Sequence, residues 1–401
     1  MLEKASDGDT ISLEPGEYFL DSPLQINKNI NLSGATGDPT DVIICSRFGA
    51  AAHVSAQAAR ISAVTFSNQQ ADEQEGSIDF LSSSIIVIEK GESEIVNCVV
   101  TGKGDGIVIS GEQAAPIIRY TKIFNCTSGG VWIIRKARAV IYRSELAECG
   151  HSILAVCDQS AVKVIKSNIH HGRNIGAYVF QNSFGRFREC TFHHNALAGI
   201  EIKNGSDCVC EDCTMHHNGE HGICAWNESR GRFEHCDIHG NGSSQVMSLG
   251  SRPHLISCTV HDSDSIGIWL HRESSGQLDS CEVYKTRDAA VVVSEDSDPV
   301  FSECAFHHSH QTGVMCVLDA RGRFDNCEIF LCQQGGALIA DKAEPTFIDC
   351  NIHHNRECGV YIYQKGEGKF YNNIFFDNDG QNWKIERDAG SVVREDNSPN
   401  W

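Results

Sequence analysis

Hydrophobic positions in this chain recur at intervals far longer than a helical turn or a strand alternation. Take Cys190 in Cys190-Thr191-Phe192-His193-His194-Asn195 as position zero. Its equivalents are Cys98, Thr121, Ser144, Ser167, Cys213, Cys236, Cys258, Cys281, Cys304, Cys327, Cys350 and Asn373. The spacing is 23 residues throughout, apart from a single 22 between Cys236 and Cys258. Three places earlier the residue is apolar, from Ile95 through Phe233 to Phe370, and two places later it is apolar again, from Val100 to Phe375. Some nine places after position zero a small residue follows, as at Gly199, Gly222, Gly313 and Gly359, and opens an apolar-x-apolar run such as Ile200-Glu201-Ile202.

Inside each repeat, runs of three to five alternating residues end at Gly, Asn, Asp or Ser. That is strand chemistry with period two, and no long stretch carries a helical period. Repeats of this length built from short strands stack as a parallel β-helix, because one repeat alone cannot bury its apolar face. The sequence therefore predicts an all-β, single-domain right-handed parallel β-helix of roughly fifteen coils. It occupies residues 1–390, with an inserted loop at 69–82 where the register breaks, and leaves 391–401 as a C-terminal tail.

A second period overlies the first. Gly-x-Phe or Gly-x-Leu recurs at Gly185, Gly231, Gly276, Gly322 and Gly368, and a proline alternates with it at Pro253, Pro299 and Pro345, giving a superrepeat of 46 residues. Asn168-Ile169-His170-His171 and Asn373-Ile374-Phe375-Phe376-Asp377-Asn378 carry a further shared motif. In these features the chain resembles the carbohydrate-binding and sugar-hydrolase (CASH) repeats of the pectin-lyase superfamily. It is similar in particular to the β-helix of certain F-box proteins. The resemblance covers about residues 5–390 and implies architecture more than activity. F-box relatives use such a helix to hold protein substrates, whereas the enzymes of the superfamily place carboxylates, Arg or Lys on an outward face. Their motifs are missing here: Asp298-Pro299 runs into Val300, and Ile200-Glu201-Ile202-Lys203 is a loose echo.

Charge narrows the partners. Lys and Arg number 33 against 53 Asp and Glu, a net charge of −20. That excludes a phosphate-neutralising surface, so no nucleic acid is expected. No apolar run is long enough for a membrane helix, and no membrane partner is expected. The 19 cysteines look like a disulfide or metal framework until the repeat is applied. Nine fall on the inward position zero, where Ser, Thr and Asn replace them in other coils, so reduced buried thiols are expected, in a reducing, cytoplasmic setting. Cys208-x-Cys210-x-x-Cys213 has zinc-like spacing but sits on core positions. Histidines three places after position zero (His170, His193, His216, His239, His261, His307, His353) alternate with Tyr284, Phe330 and Phe376, which fits stacked rings better than ligands. His261-Asp262-x-Asp264 with Arg287 and Asp288 pairs acids, and reads as a solvated turn. Accordingly no cofactor, no metal site and no catalytic residue is expected.

The outward side of the Gly-Ile-x-Ile strand is the informative surface. With Ile200 and Ile202 inside, one outward column reads Trp132, Leu154, Tyr178, Glu201, Cys224, Met247, Trp269 and on to Tyr361. The next reads Ile134, Val156, Phe180, Lys203, Trp226, Leu249, His271 and on to Tyr363. Solvated strand faces are normally polar, so an apolar stripe marks an interface. Trp132, Tyr178, Phe180, Trp226, Trp269, His271, Tyr361 and Tyr363 are the expected binding residues. The expected function is a non-catalytic interaction module holding a polypeptide. The alternative is a polysaccharide lyase, hydrolase or epimerase, or a glycan-binding protein, with these rings stacked on sugars.

Overall fold

The computed structural model describes residues 4–70 and 84–398, which run through 49 strands with no α-helix. Most of the insertion expected at 69–82 lies outside the described residues. The chain divides into two compact units, Met1–Leu197 with Ser206–Cys208, and Ala198–Gly205 with Val209–Trp401. Each is a parallel β-helix whose coils contribute one strand to each of three faces. In the first unit the faces are represented by Arg138–Tyr142, Glu145–Ala147 and Leu154–Val156, which pair in parallel with Ala161–Ile165, Asn168–His170 and Ala177–Val179 of the next coil. In the second unit, Val300–Ser302, Ala305–His307 and Val314–Cys316 pair likewise with the coil that follows. The early coils are irregular: Thr10 pairs with Asn31, Asn31 with Arg60 and Arg60 with Glu94 before the regular spacing begins at Glu94 and Ile117. Val392–Glu395, in the segment expected to be a tail, forms a further strand on Gly368–Tyr371.

The repeat positions have direct physical causes. Phe301, Phe324, Phe347 and Phe370, all fully buried, stack face to face at 4.6, 4.5 and 5.2 Å. Gly231 precedes Phe233 by two because a Cβ there would lie 2.6 Å from the Phe233 ring. Gly313 is small because its Cβ would meet the Ile329 side chain at 2.4 Å. Position zero demands a small donor. Cys304 Sγ donates to the Ser302 carbonyl at 3.3 Å, and Ser144 Oγ does the same to Tyr142 at 3.1 Å. Asn373 instead reaches the Phe347 carbonyl of the preceding coil at 3.0 Å. Cys, Ser, Thr and Asn interchange there because each satisfies a buried carbonyl. All 19 cysteines are buried and free of disulfides.

Corners are made by residues in the left-handed conformation, and many are not glycine. Arg143, Lys166 and Glu189 turn from the first face to the second, and His171, His194 and His217 from the second to the third. The second histidine of each His-His pair therefore stands at a corner, a conformation that His, Asn and Asp enter more readily than most residues. The corner from third face to first normally uses two such residues, as in Asn227 and Glu228, but the next coil has only Gly250 there. This missing residue is the single 22-residue step. Trp226 pairs with Leu249, 23 places on, while Arg230 pairs with Arg252, only 22 on.

Candidate functional site

The outer side of the third face carries the aromatic stripe in both units. In the first unit Trp132 pairs with Ala155, and Ala155 with Tyr178. The columns at this rung thus hold Ala155 and Cys157, not Leu154 and Val156, which point inward. The reading slipped because Ile153 stands where glycine marks the strand start in its neighbours. Trp132 and Phe180 lie over a buried cluster of Val108, Ile134 and Cys157. Tyr178 and Phe180, two apart on one strand, stack at 4.2 Å and 16°. The Trp132 indole N–H donates to Asp105 Oδ1 at 3.0 Å, and the same oxygen accepts the Gly129 amide at 2.6 Å. Burial nonetheless pushes the Asp105 carboxyl above the usual carboxylate range.

In the second unit, Trp226 and Trp269 cover Ala198, Cys224 and Met247. Trp269 stacks on His271 at 4.2 Å and 12°, and its indole N–H donates to Ser294 Oγ at 3.3 Å. Lys203 Nζ lies 5.5 Å from the Trp226 ring centre. Tyr361 and Tyr363 stack at 4.7 Å, with Lys384 Nζ 3.9 Å from the Tyr361 centroid. The rings are half-buried, and His271 is only 6% exposed. The tryptophans and Phe180 pack on the buried residues beneath them, so the stripe is a partly covered apolar layer.

Polar groups stand in and beside the stripe, and of these only His221 escaped the sequence reading. Burial raises the Glu201 carboxyl, opposed by the charge of Lys203. His221 is buried against Ser244, whose carbonyl and hydroxyl lie 2.9 and 3.0 Å from its Nδ1. His271 Nε2 is shielded from solvent and makes no hydrogen bond. The acids of the 261–288 turn do not converge. Asp288 accepts from Ser265 and Gln311, while Asp262 faces His261 and Lys285. A cavity of about 580 Å³ lies elsewhere, among Ile11, Leu13, Tyr18, Leu24 and Leu32 of the first two coils.

A stack of three-strand coils with a fixed register defines a solenoid class, and the sequence profile agrees. The right handed beta helix region matches residues 50–196, 152–252, 181–316 and 246–398, and the chain belongs to this family. Among solved structures, a chain of the Vag8–C1 inhibitor complex is similar at TM-score 0.63 and 11% identity, over 97% of this chain and all of that one. The periplasmic alginate epimerase AlgG is similar at 0.47 and 11%, over 72% of this chain and 76% of its own. The A-module of the Azotobacter vinelandii mannuronan C-5 epimerase AlgE4 is similar at 0.41 and 13%, over 96% of this chain and 91% of its own. At these identities the likeness is one of fold.

Proposed function

We propose that this chain is a non-catalytic binding module that holds an extended polypeptide along the third-face stripe. One observation carries the reading: planar rings recur two rungs apart with small or flexible residues between them. Ala155 separates Trp132 from Tyr178, and the Met247–Leu249 rung separates Trp226 from Trp269. Two rungs span about 9.6 Å at the usual strand spacing of ~4.8 Å. A polyproline II segment returns to one side every three residues, roughly 9.3 Å, and docks naturally on aromatic-lined grooves. Sugar rings repeating near the spacing of one rung would leave alternate coils without a partner. A net charge of −20 adds attraction for a basic segment.

The test is selection from a displayed peptide library, followed by affinity measurement on wild type and on the double variant Trp226→Ala, Trp269→Ala. Enrichment of sequences with proline or apolar residues three apart, and at least a tenfold affinity loss in the folded double variant, support the proposal. Equal affinity in the variant removes the stripe. Unsaturated products from a panel of uronate polysaccharides would replace the binding role with an enzymatic one.

A further inference from the structure

The outer side of the second face carries its own ring column, and three of its rungs share one wiring pattern. His307 Nε2 meets Glu282 Oε1 of the preceding coil at 2.9 Å, while its Nδ1 lies 2.6 Å from His308 Nδ1. His353 repeats this with Glu328 at 3.1 Å and His354 at 2.7 Å. His170 does so with Glu145 at 3.3 Å and His171 at 2.7 Å. In each case a carboxylate and a second imidazole engage the two nitrogens.

The rungs of His239 and His261 are wired differently. Gly240 follows His239, so no imidazole comes from its own corner, and His217 of the preceding coil lies edge-on to it at 5.8 Å. Asp262 follows His261, and its Oδ2 lies 2.6 Å from His261 Nδ1. The other nitrogen of His261, Nε2, faces Asp237 Oδ1 at 2.9 Å. Both ring nitrogens of His261 therefore face carboxylates. His239 Nε2 lies 3.9 Å from Asp237 Oδ2, and one ligand atom from each of the three residues falls within 4.8 Å of the others.

We propose that Asp237, His239 and His261 form a binding site for a divalent late first-row transition ion of the zinc class. Two imidazole nitrogens and one carboxylate oxygen are a borderline donor set, suited to zinc and poorly matched to calcium or magnesium, which take oxygen ligands. Ligand atoms about 2.0–2.2 Å from zinc stand roughly 3.3 Å apart in a tetrahedron, so small side-chain rotations of these half-buried residues close the site. Asp262 supplies the outer carboxylate that fixes the imidazole of a metal-bound histidine. The fourth position faces outward, open to water or to a donor from a partner. The third-face stripe takes no part in this site.

The column itself supplies the test variant. Tyr284 and Phe330 occupy equivalent places and stack normally on their neighbours, at 5.0 Å from His261 and 4.6 Å from His307. His239→Phe should therefore fold with an unchanged melting temperature. Calorimetric titration of the metal-stripped full chain with zinc chloride should show one tightest site, weakened at least tenfold in His239→Phe and in Asp237→Asn. Asp262→Asn should lose about tenfold, and His353→Phe, in an ordinary rung, should bind as wild type. Cobalt(II) substitution should give visible tetrahedral bands that vanish in His239→Phe. The assignment is overturned by absent zinc binding, by equal affinity in His239→Phe, or by an equal loss in His353→Phe.

Discussion

Rows of planar rings line the outer sides of both the second and third faces, but the two rows run along different axes. On the second face each ring stacks on the ring of the next coil: Tyr284 on His307 at 5.1 Å, His307 on Phe330 at 4.6 Å and His353 on Phe376 at 4.3 Å. Within each unit the column runs from coil to coil, so any flat ring serves, which is why His, Tyr and Phe interchange. On the third face the rings pair within a strand, as Tyr178 with Phe180 and Trp269 with His271, and leave small residues between anchors. A continuous stack satisfies itself. An interrupted one leaves room for another molecule's side chains, and this difference is the ground on which polypeptide binding is proposed for the third face.

The interior sets the upper bound for both. Phe324→Ala opens a hole in the middle of the buried stack and should lower stability by about 3–5 kcal/mol in urea unfolding. If either outer face costs as much, it belongs to the core. The third-face double variant Trp226→Ala, Trp269→Ala uncovers Cys224 and Met247 and should cost about 2 kcal/mol. A loss near zero would show that these rings do not shield the layer beneath.

Acid probes both faces together. Burial is the leading cause that holds His170, His239 and His308 on the second face, and His221 and His271 beside the stripe, below the ordinary value of 6.5. Each binds protons more readily in the unfolded chain, so stability is full above that value and falls as pH drops below it. Urea midpoints measured across this range should decline, and a flat profile would contradict the burial. Smaller still is the position-zero donor. Cys304→Ala removes the thiol donor from the Ser302 carbonyl, which keeps the Ser280 amide at 2.9 Å, and should cost about 1 kcal/mol, while Cys304→Ser should be near neutral. At the bottom of the scale, Phe330→His should change stability by under about 0.5 kcal/mol, and a larger cost would break the idea that any flat ring serves.

Most of the fold was legible because inward positions must repeat when coils stack. The apolar places around Cys98 to Cys350 state the register without reference to any other protein. The corners were harder to read. Left-handed Glu, Lys and Arg are held there by the strands they join, so their local preferences gave no signal. The stripe was readable at Trp132, Tyr178, Trp226 and Trp269, yet it slipped at Ile153, where the glycine marker is missing. The trio of Asp237, His239 and His261 was hidden by the tolerance of its own column. Phe330 and Phe376 argued against ligands everywhere, although Gly240 and Asp262 replace the corner histidine beside His239 and His261.

The coil that lacks one corner residue carries a consequence for how such a chain tolerates change in length. Gly250 alone does the work of Asn227 and Glu228, and strand pairing is intact on both sides of it. Length is therefore negotiable at the junction of third and first faces, while the strands are held to a fixed count. Insertions of a tag, a fluorophore site or a protease sequence belong at Asn227–Glu228 or Asp341–Lys342, where extra residues can loop outward without sliding one coil against the next.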